Sequence, residues 1–185
     1  MSVPAALKFT YEDYALLPED RRYEVIDGEV FVTPSPTLDH QDVVLRLARL
    51  LAEFVEVRRL GSVYVAPCDV VLSRFDVVQP DVLYVSTARG DILAGRKQVA
   101  GAPDLVVEVL SPSTESRDRV AKAKRYATFG VREMWLVDPV AKTIEILVNS
   151  EEGFRREALY GEMETVRSMV VPGLEFPAAP VFQPV

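Results

Sequence analysis

Two acidic residues within apolar runs are the residues of this sequence best suited to chemistry. Glu108 lies in the run 104–110, which is too apolar for a surface strand, and Asp81 lies in the similar run 77–85. Burial without a partner would push the Glu108 carboxylate towards its neutral form, and a cation is the natural partner for a buried carboxylate cluster. If the two strands are neighbours, Asp81 and Glu108 converge on one point. Two carboxylates with a backbone carbonyl and water are ligands that suit Mg²⁺.

A basic residue follows on a predicted helix. Asp118, Lys122 and Tyr126 are spaced i, i+4 and i+8, which places them along one side of a helix that begins after the turn 112–114. Lys122, or less favourably Lys124, can lean back over Glu108. Two acids and a lysine suffice for metal-assisted phosphodiester hydrolysis, in which the lysine orients water or offsets charge. The alternative for Asp118 and Lys122 is a surface ion pair worth only about 0.3 kcal/mol.

These residues resemble the signature of the PD-(D/E)XK nuclease superfamily, with the acids in Pro80-Asp81 and at Glu108. That signature usually has a lysine two residues after the second acid, where this chain has Leu110. The longer pattern is similar to the Uma-type "putative restriction endonuclease" family, once a domain of unknown function, over roughly residues 10–145. It comprises Tyr23 to Glu29, His40, Gly101 to Asp104, Glu108, Ser111 to Thr114, Asp118, Lys122, Tyr126 and Trp135 to Pro139.

The resemblance implies a restriction-endonuclease-like α/β fold, a DNA substrate and Mg²⁺ or Mn²⁺ as cofactor. Matching positions assign the metal to Asp81 and Glu108 and the family's lysine, which these proteins carry on the following helix, to Lys122. Glu24 and His40 border the site, although a surface strand acid and a surface histidine are the alternatives. By analogy with other nucleases of this fold, it also implies a homodimer.

Composition limits the classes of protein that fit this sequence. The 185 residues are 49% hydrophobic, which suits one domain with a core over about 10–148 and C-terminal strands and a tail over 150–185. The net charge of −7 argues against a sequence-independent nucleic-acid binder, yet a carboxylate-rich nuclease site is compatible with it. One cysteine and one histidine exclude a disulfide framework and a His/Cys zinc site. Without a signal peptide or an apolar span, we expect a cytoplasmic protein with no membrane contact.

Local patterns predict the elements that must position these residues. Thr10 to Asp13 form a capping box, and Asp27-Gly28 favours a type I′ hairpin between strands 23–26 and 29–32. Apolar spacing predicts a long amphipathic helix over 40–59 with Asp39 as its N-cap. Gly130 ends the next helix, and strands follow at 133–138 and 143–148. We expect a central mixed sheet with the long helix on one face and the Lys122 helix on the other.

Three further interpretations concern the loop 86–102, Cys68 and the alternatives to a nuclease function. The basic loop 86–102 is predicted to lie beside the site, either as a phosphate contact or as an ordinary solvated connection. A Cys68–His40 dyad is disfavoured, since no activating pattern surrounds the cysteine. Beside the nuclease function stand two alternatives: an interaction domain that has lost catalysis, which Leu110 supports, and a hydrolase of a smaller phosphate compound, which the acidic balance suits.

Overall fold

A computed structural model describes residues 7–183, with a mixed sheet flanked by helices as predicted. In chain order the elements are α1 (Tyr11–Tyr14), β1 (Arg22–Ile26), β2 (Glu29–Thr33), α2 (Leu38–Val57), β3 (Gly61–Val65), β4 (Val70–Ser73), β5 (Asp76–Val78), β6 (Val82–Ser86), a 3₁₀ segment (Thr87–Leu93), β7 (Leu105–Val109), a π-helical turn (Arg117–Lys122), α3 (Ala123–Phe129), β8 (Glu133–Asp138), β9 (Thr143–Ser150), β10 (Gly153–Gly161), β11 (Thr165–Arg167), β12 (Glu175–Pro177) and a 3₁₀ turn (Ala179–Phe182). Within these residues, no helix has the length and apolar character needed to cross a membrane.

The strands form two principal sheets. The six-stranded sheet has the order β10-β9-β8-β7-β6-β3, and within it β7 and β8 run parallel while the other neighbours are antiparallel. A four-stranded antiparallel sheet has the order β2-β1-β5-β4. The short strands β11 and β12 pair with each other. The predicted hairpin is present, and both turn residues, Asp27 and Gly28, have the positive φ that a type I′ turn requires.

The two helices cover opposite faces of the six-stranded sheet. Residues 107, 109, 135 and 137 point towards α2, and the alternating residues 106, 134 and 136 point towards α3, because successive side chains of a strand alternate between faces. Helix α2 buries the stripe Val43, Leu47, Leu51 and Val55. Its N-cap is Thr37, whose hydroxyl accepts a hydrogen bond from the His40 N–H, so the prediction of Asp39 was wrong by two residues. Gly130 ends α3 in the left-handed conformation, as predicted.

The run 77–85 is not one strand as the sequence suggested. It divides into β5 in the four-stranded sheet and β6 in the six-stranded sheet, and the break falls at Gln79-Pro80-Asp81. Pro80 lacks the N–H that a continuing ladder would use. The Gln79 N–H donates instead to Glu24 Oε1 at 2.8 Å. Asp81 therefore lies at the joint between the two sheets.

The C-terminal residues do more than form a surface tail. Strand β10 is the edge of the six-stranded sheet, as predicted, but the segment beyond it packs over the α2 face around Trp135. The ring centroids of Trp135 and Phe176 are 5.8 Å apart. The buried residues of this segment are Val166, Val171, Leu174, Phe176, Ala178 and Val181. The hydrophobic core therefore extends beyond residue 148, because the α2 face of the sheet needs this cover.

Candidate active site

Glu108 lies on β7, and Asp81 immediately precedes the neighbouring strand β6. Strands β6 and β7 are antiparallel with Val82 opposite Val107, and continuing that register places Asp81 opposite Glu108. The Val109 N–H donates to Asp81 Oδ2 at 2.8 Å, which holds this carboxylate at the end of β7. Residues directly opposite each other in an antiparallel pair share a face of the sheet. Both acids line one cavity of about 210 Å³.

Lys122 stands at the centre of this cavity, among three carboxylates. Its Nζ is 2.9 Å from Glu24 Oε1, 3.1 Å from Glu108 Oε1 and 3.3 Å from Asp118 Oδ1. The lysine side chain is only 4% exposed. Asp118 and Lys122 thus contact each other as the spacing predicted, but the contact is buried rather than on the surface. Tyr126 completes the group, and its hydroxyl donates to Glu108 Oε1 at 2.7 Å.

The other predicted border residues separate into two groups. Glu24 is fully buried in the cavity wall, and His40 Nε2 lies 3.3 Å from Asp81 Oδ2, so both line the site. Lys124 does not. It is exposed on the opposite side of the helix and lines a separate surface depression, because two helical residues span about 200°. Of the two lysines, only Lys122 lines this cavity, and the expectation that Lys124 borders it is wrong.

The loop 86–102 and Cys68 do not line the acidic cavity. None of residues 86–102 lines the cavity; Arg96 instead donates to the Tyr64 hydroxyl at 3.1 Å, and Arg89 lies 3.5 Å from Asp104. Cys68 lines a different pocket, next to Arg96 and Lys97, whereas His40 lines the acidic cavity. The loop is thus not a neighbour of the site, and the structure gives no basis for a Cys68–His40 dyad.

Burial and crowding of like charge shape the ionisation of the cluster. Burial raises the pKa of Glu108 well above its usual range; Lys122 opposes this, while the charges of Asp118, Asp81 and Glu24 add to it. Burial also raises the pKa of Asp118, again against Lys122. For Lys122, burial alone would lower the pKa, but Glu108, Glu24 and Asp118 together outweigh it and raise the pKa. The lysine therefore carries its proton, and the crowded acids compete for too few cations.

The donor set of the cavity suits a divalent cation. Four carboxylates (Glu24, Asp81, Glu108, Asp118) face three cationic side chains (Arg22, Arg117, Lys122). An excess of buried oxygen donors is what Mg²⁺ or Mn²⁺ binds, and the neighbouring carboxylates add to the burial that raises the pKa of Glu108. In residues 7–183, however, no three His, Cys, Asp or Glu side chains are already spaced to hold a metal, and the ammonium of Lys122 stands between Glu24 and Glu108. Binding would require carboxylates to turn from the lysine.

Sequence reasoning missed two basic residues of the cavity. Arg22 shares a strand face with Glu24, two residues away, so the alternation of β1 was a sufficient signal once Glu24 was assigned. Its Nε donates to Gln79 Oε1 at 3.1 Å. Arg117 had no such signal. It reaches the cavity only because residues 117–122 form a π-helical turn, which the α-helical spacing did not predict.

The mixed sheet with helices on both faces belongs to the class of restriction-endonuclease-like α/β folds. Comparisons with known proteins agree. A crystal structure of "a putative nuclease belonging to DUF820" from Anabaena variabilis ATCC 29413 superposes with a TM-score of 0.78, covering 94% of this chain and 97% of that one at 19% identity. An "uncharacterized protein slr1290" from Synechocystis sp. is 27% identical over 154 residues, covering 79% of this chain and 77% of that protein.

The family follows from a match over most of the chain. The Uma2 family, described as "Putative restriction endonuclease", matches residues 10–179. The chain belongs to this family. The similarity to the Anabaena structure extends over almost the whole length of both chains, so the fold includes the C-terminal segment that covers Trp135.

Proposed function

We propose that this protein is a divalent-metal-dependent nuclease that hydrolyses phosphodiester bonds of DNA. The observation that carries the proposal is the buried lysine, Lys122, among carboxylates from three parts of the chain, in a cavity that also contains Asp81. Family membership supports a nuclease. The metal, the DNA substrate and the roles of individual residues are the parts that we propose.

Asp81 and Glu108 would hold the cation through their carboxylate oxygens, with Glu24 as a further donor. Mg²⁺ or Mn²⁺ bound there would polarise the phosphate and lower the pKa of a water molecule. The register of the paired strands already places Asp81 opposite Glu108, and the Val109 N–H and the Tyr126 hydroxyl each donate a hydrogen bond to one of the two carboxylates. Little reorganisation of the backbone would therefore be needed.

Lys122 would act by position and charge rather than as a base. The surrounding carboxylates raise its pKa, so its ammonium retains a proton at neutral pH. An ammonium can orient the attacking water or offset the negative charge that builds on the phosphate in the transition state. His40, whose Nδ1 is buried without a partner and whose Nε2 faces Asp81, borders the same space and would contact the phosphate.

The test combines calorimetric Mn²⁺ titration with a plasmid-nicking assay. We expect Asp81→Ala and Glu108→Ala to lose both metal binding and nicking. Asp39→Ala is the matched control, since this exposed acid precedes His40 but lines a different depression. Lys122→Ala should retain metal binding and lose about 10²–10³-fold in nicking, whereas Lys124→Ala should lose neither.

Each other outcome favours a different function. Metal binding that depends on Glu108 without nicking by the wild type would favour a hydrolase of a smaller phosphate compound, which the modest cavity would admit. Equal titrations for the wild type and Glu108→Ala would overturn the metal proposal. In that case Glu108 is a structural acid neutralised by Lys122, and a non-catalytic interaction domain becomes the better interpretation.

A further inference from the structure

The turn before α3 has an unusual geometry that brings a second basic residue to the cavity. Residues 117–122 form a π-helical turn, in which hydrogen bonds link residues five apart. Arg117 and Lys122 are five apart, so this turn directs both towards one side. In an α-helix the same separation is about 1.4 turns, and the two side chains would point in nearly opposite directions. Both side chains line the acidic cavity.

The guanidinium of Arg117 is largely buried, and its Nε–H donor has no hydrogen-bond partner. Its side chain is 13% exposed, and its Nε is buried without a partner. The nearest carboxylate atom, Glu24 Oε2, is 3.4 Å from Nη2, which is long for a charge-assisted hydrogen bond. Oxygen Oε1 of Glu24 is already engaged by Lys122 at 2.9 Å and by the Gln79 N–H at 2.8 Å. Glu24 therefore does not satisfy Arg117.

Two nearby arginines, Arg119 and Arg125, have guanidinium groups that make short hydrogen bonds to carboxylates. Arg119, two residues along the same turn, is 36% exposed and bonds Glu115 at 2.9 Å and Glu145 at 2.7 Å. Arg125 makes two bonds of 2.6 Å to Asp76. Arg117 has no equivalent partner, yet its guanidinium carbon lies 5.6 Å from the centre of the Phe31 ring, which supports it within the wall. The Arg117 side chain is therefore held in the cavity wall while its Nε–H donor lacks a partner.

An anion in the cavity would complete this arrangement. Asp81 and Glu108 come from the sheet, and Arg117 comes from the helix, so the cavity presents acids and a free guanidinium on different elements. Guanidinium groups bind phosphate oxygens through two parallel hydrogen bonds. We propose that Arg117 binds the substrate's backbone phosphate, as a substrate-contacting residue that the π-helical turn positions beside Lys122. This inference rests on the proposed function for the identity of the ligand.

The experiment measures binding separately from cleavage. Fluorescence anisotropy follows a labelled DNA duplex with Ca²⁺ in place of Mg²⁺ across a series of salt concentrations, and a denaturing gel checks that the duplex stays intact. Each neutralised phosphate contributes about 0.9 to the slope of log K against log salt concentration. We expect Arg117→Gln to reduce the slope by about 0.9 and to weaken binding about 10- to 100-fold. Arg119→Gln, the matched control, should change neither quantity.

A conservative variant keeps the test decisive if Arg117→Gln is poorly folded. Arg117→Lys retains the charge and loses the two-pronged geometry, so the salt slope should stay unchanged while affinity falls several-fold. Thermal unfolding of each variant is measured beside binding. An unchanged slope and affinity in folded Arg117→Gln would refute the role of this residue, as would wild-type protein that binds no DNA.

The two proposals fail in distinguishable ways. If the wild type nicks plasmid DNA and folded Arg117→Gln binds as well as the wild type, the nuclease stands and the role of Arg117 is wrong. If Arg117→Gln reduces the slope of log K against log salt concentration while the wild type never nicks DNA with Mg²⁺ or Mn²⁺, Arg117 binds phosphate and the nuclease proposal is wrong. If wild-type protein neither binds nor nicks DNA, both are wrong.

Discussion

Replacing Lys122 with methionine should destabilise the protein strongly at neutral pH, because the lysine is the central cation of a buried acidic cluster. Its Nζ lies within 3.3 Å of three carboxylates, and the side chain is 4% exposed. Methionine fills similar volume, so the loss is mainly electrostatic. Removing one partner of a buried ion pair costs about 3–5 kcal/mol. For a chain of this size that lowers Tm by about 6–20 °C.

The cost should depend on pH in a defined direction. Burial already raises the pKa of Glu108 and of Asp118, and loss of Lys122 removes the charge that opposes this. The folded variant then binds more protons than the unfolded chain at neutral pH, so its stability falls as pH rises, by up to about 1.4 kcal/mol per pH unit for each group. At pH 5 the acids take up protons more readily, and the penalty should shrink.

Urea unfolding of Lys122→Met, Lys124→Met and wild type at pH 5 and pH 8 provides the measurement. Lys124 is exposed, so its variant should lie within about 0.5 kcal/mol of the wild type at both values. The electrostatic account would be refuted if Lys122→Met and Lys124→Met differed in free energy of unfolding by less than about 1 kcal/mol at pH 8, because a broken buried ion pair costs more than that. A penalty larger at pH 5 than at pH 8 would refute it as well.

Three further changes test other parts of the fold. Asp76→Asn should cost about 1.5–3 kcal/mol in urea unfolding at pH 7. Burial opposes ionisation of Asp76, but the hydrogen bonds from Arg125 and other donors lower its pKa, so the wild-type advantage should begin to fall below the unfolded pKa of about 4 and be lost as pH falls through the lower folded pKa. Glu133→Ala should cost about 2–6 kcal/mol in urea unfolding, because it leaves the Trp135 indole N–H and a backbone N–H of the C-terminal segment unpaired. Gly130→Ala should cost about 1 kcal/mol in urea unfolding, since φ is +88° and no atom lies near the added methyl group.

Local rules identified the elements whose determinants lie close together in sequence. The Asp27-Gly28 turn, the 3.6-residue periodicity of α2 and the left-handed Gly130 each depend on a few adjacent residues, and the structure has all three. The sequence made the convergence of Asp81 and Glu108 conditional on their strands being neighbours, and β6 and β7 do pair.

The features that sequence reasoning missed depend on distant contacts or on small differences in helical winding. Spacing alone does not separate a π-helical turn from an α-helical one when Asp118 and Lys122 meet in either, so Arg117 was overlooked. The loop 86–102 was placed beside the site because of its charge, yet Val99 pairs with Val70 and draws it to another part of the molecule. The C-terminal segment seemed polar enough for the surface, but every few residues an apolar side chain covers Trp135.

The acidic cavity is also a structural joint, which connects its chemistry to the stability of the fold. Glu24 comes from the four-stranded sheet, Glu108 from the six-stranded sheet, and Lys122 from the turn before α3, so the ammonium links three elements. Asp81 lies where the chain crosses between the sheets. A cation that drew Glu108 away from Lys122 would loosen one of these links and supply another in its place. The proposed metal binding must therefore be measured together with stability, since each variant of a proposed ligand should change both.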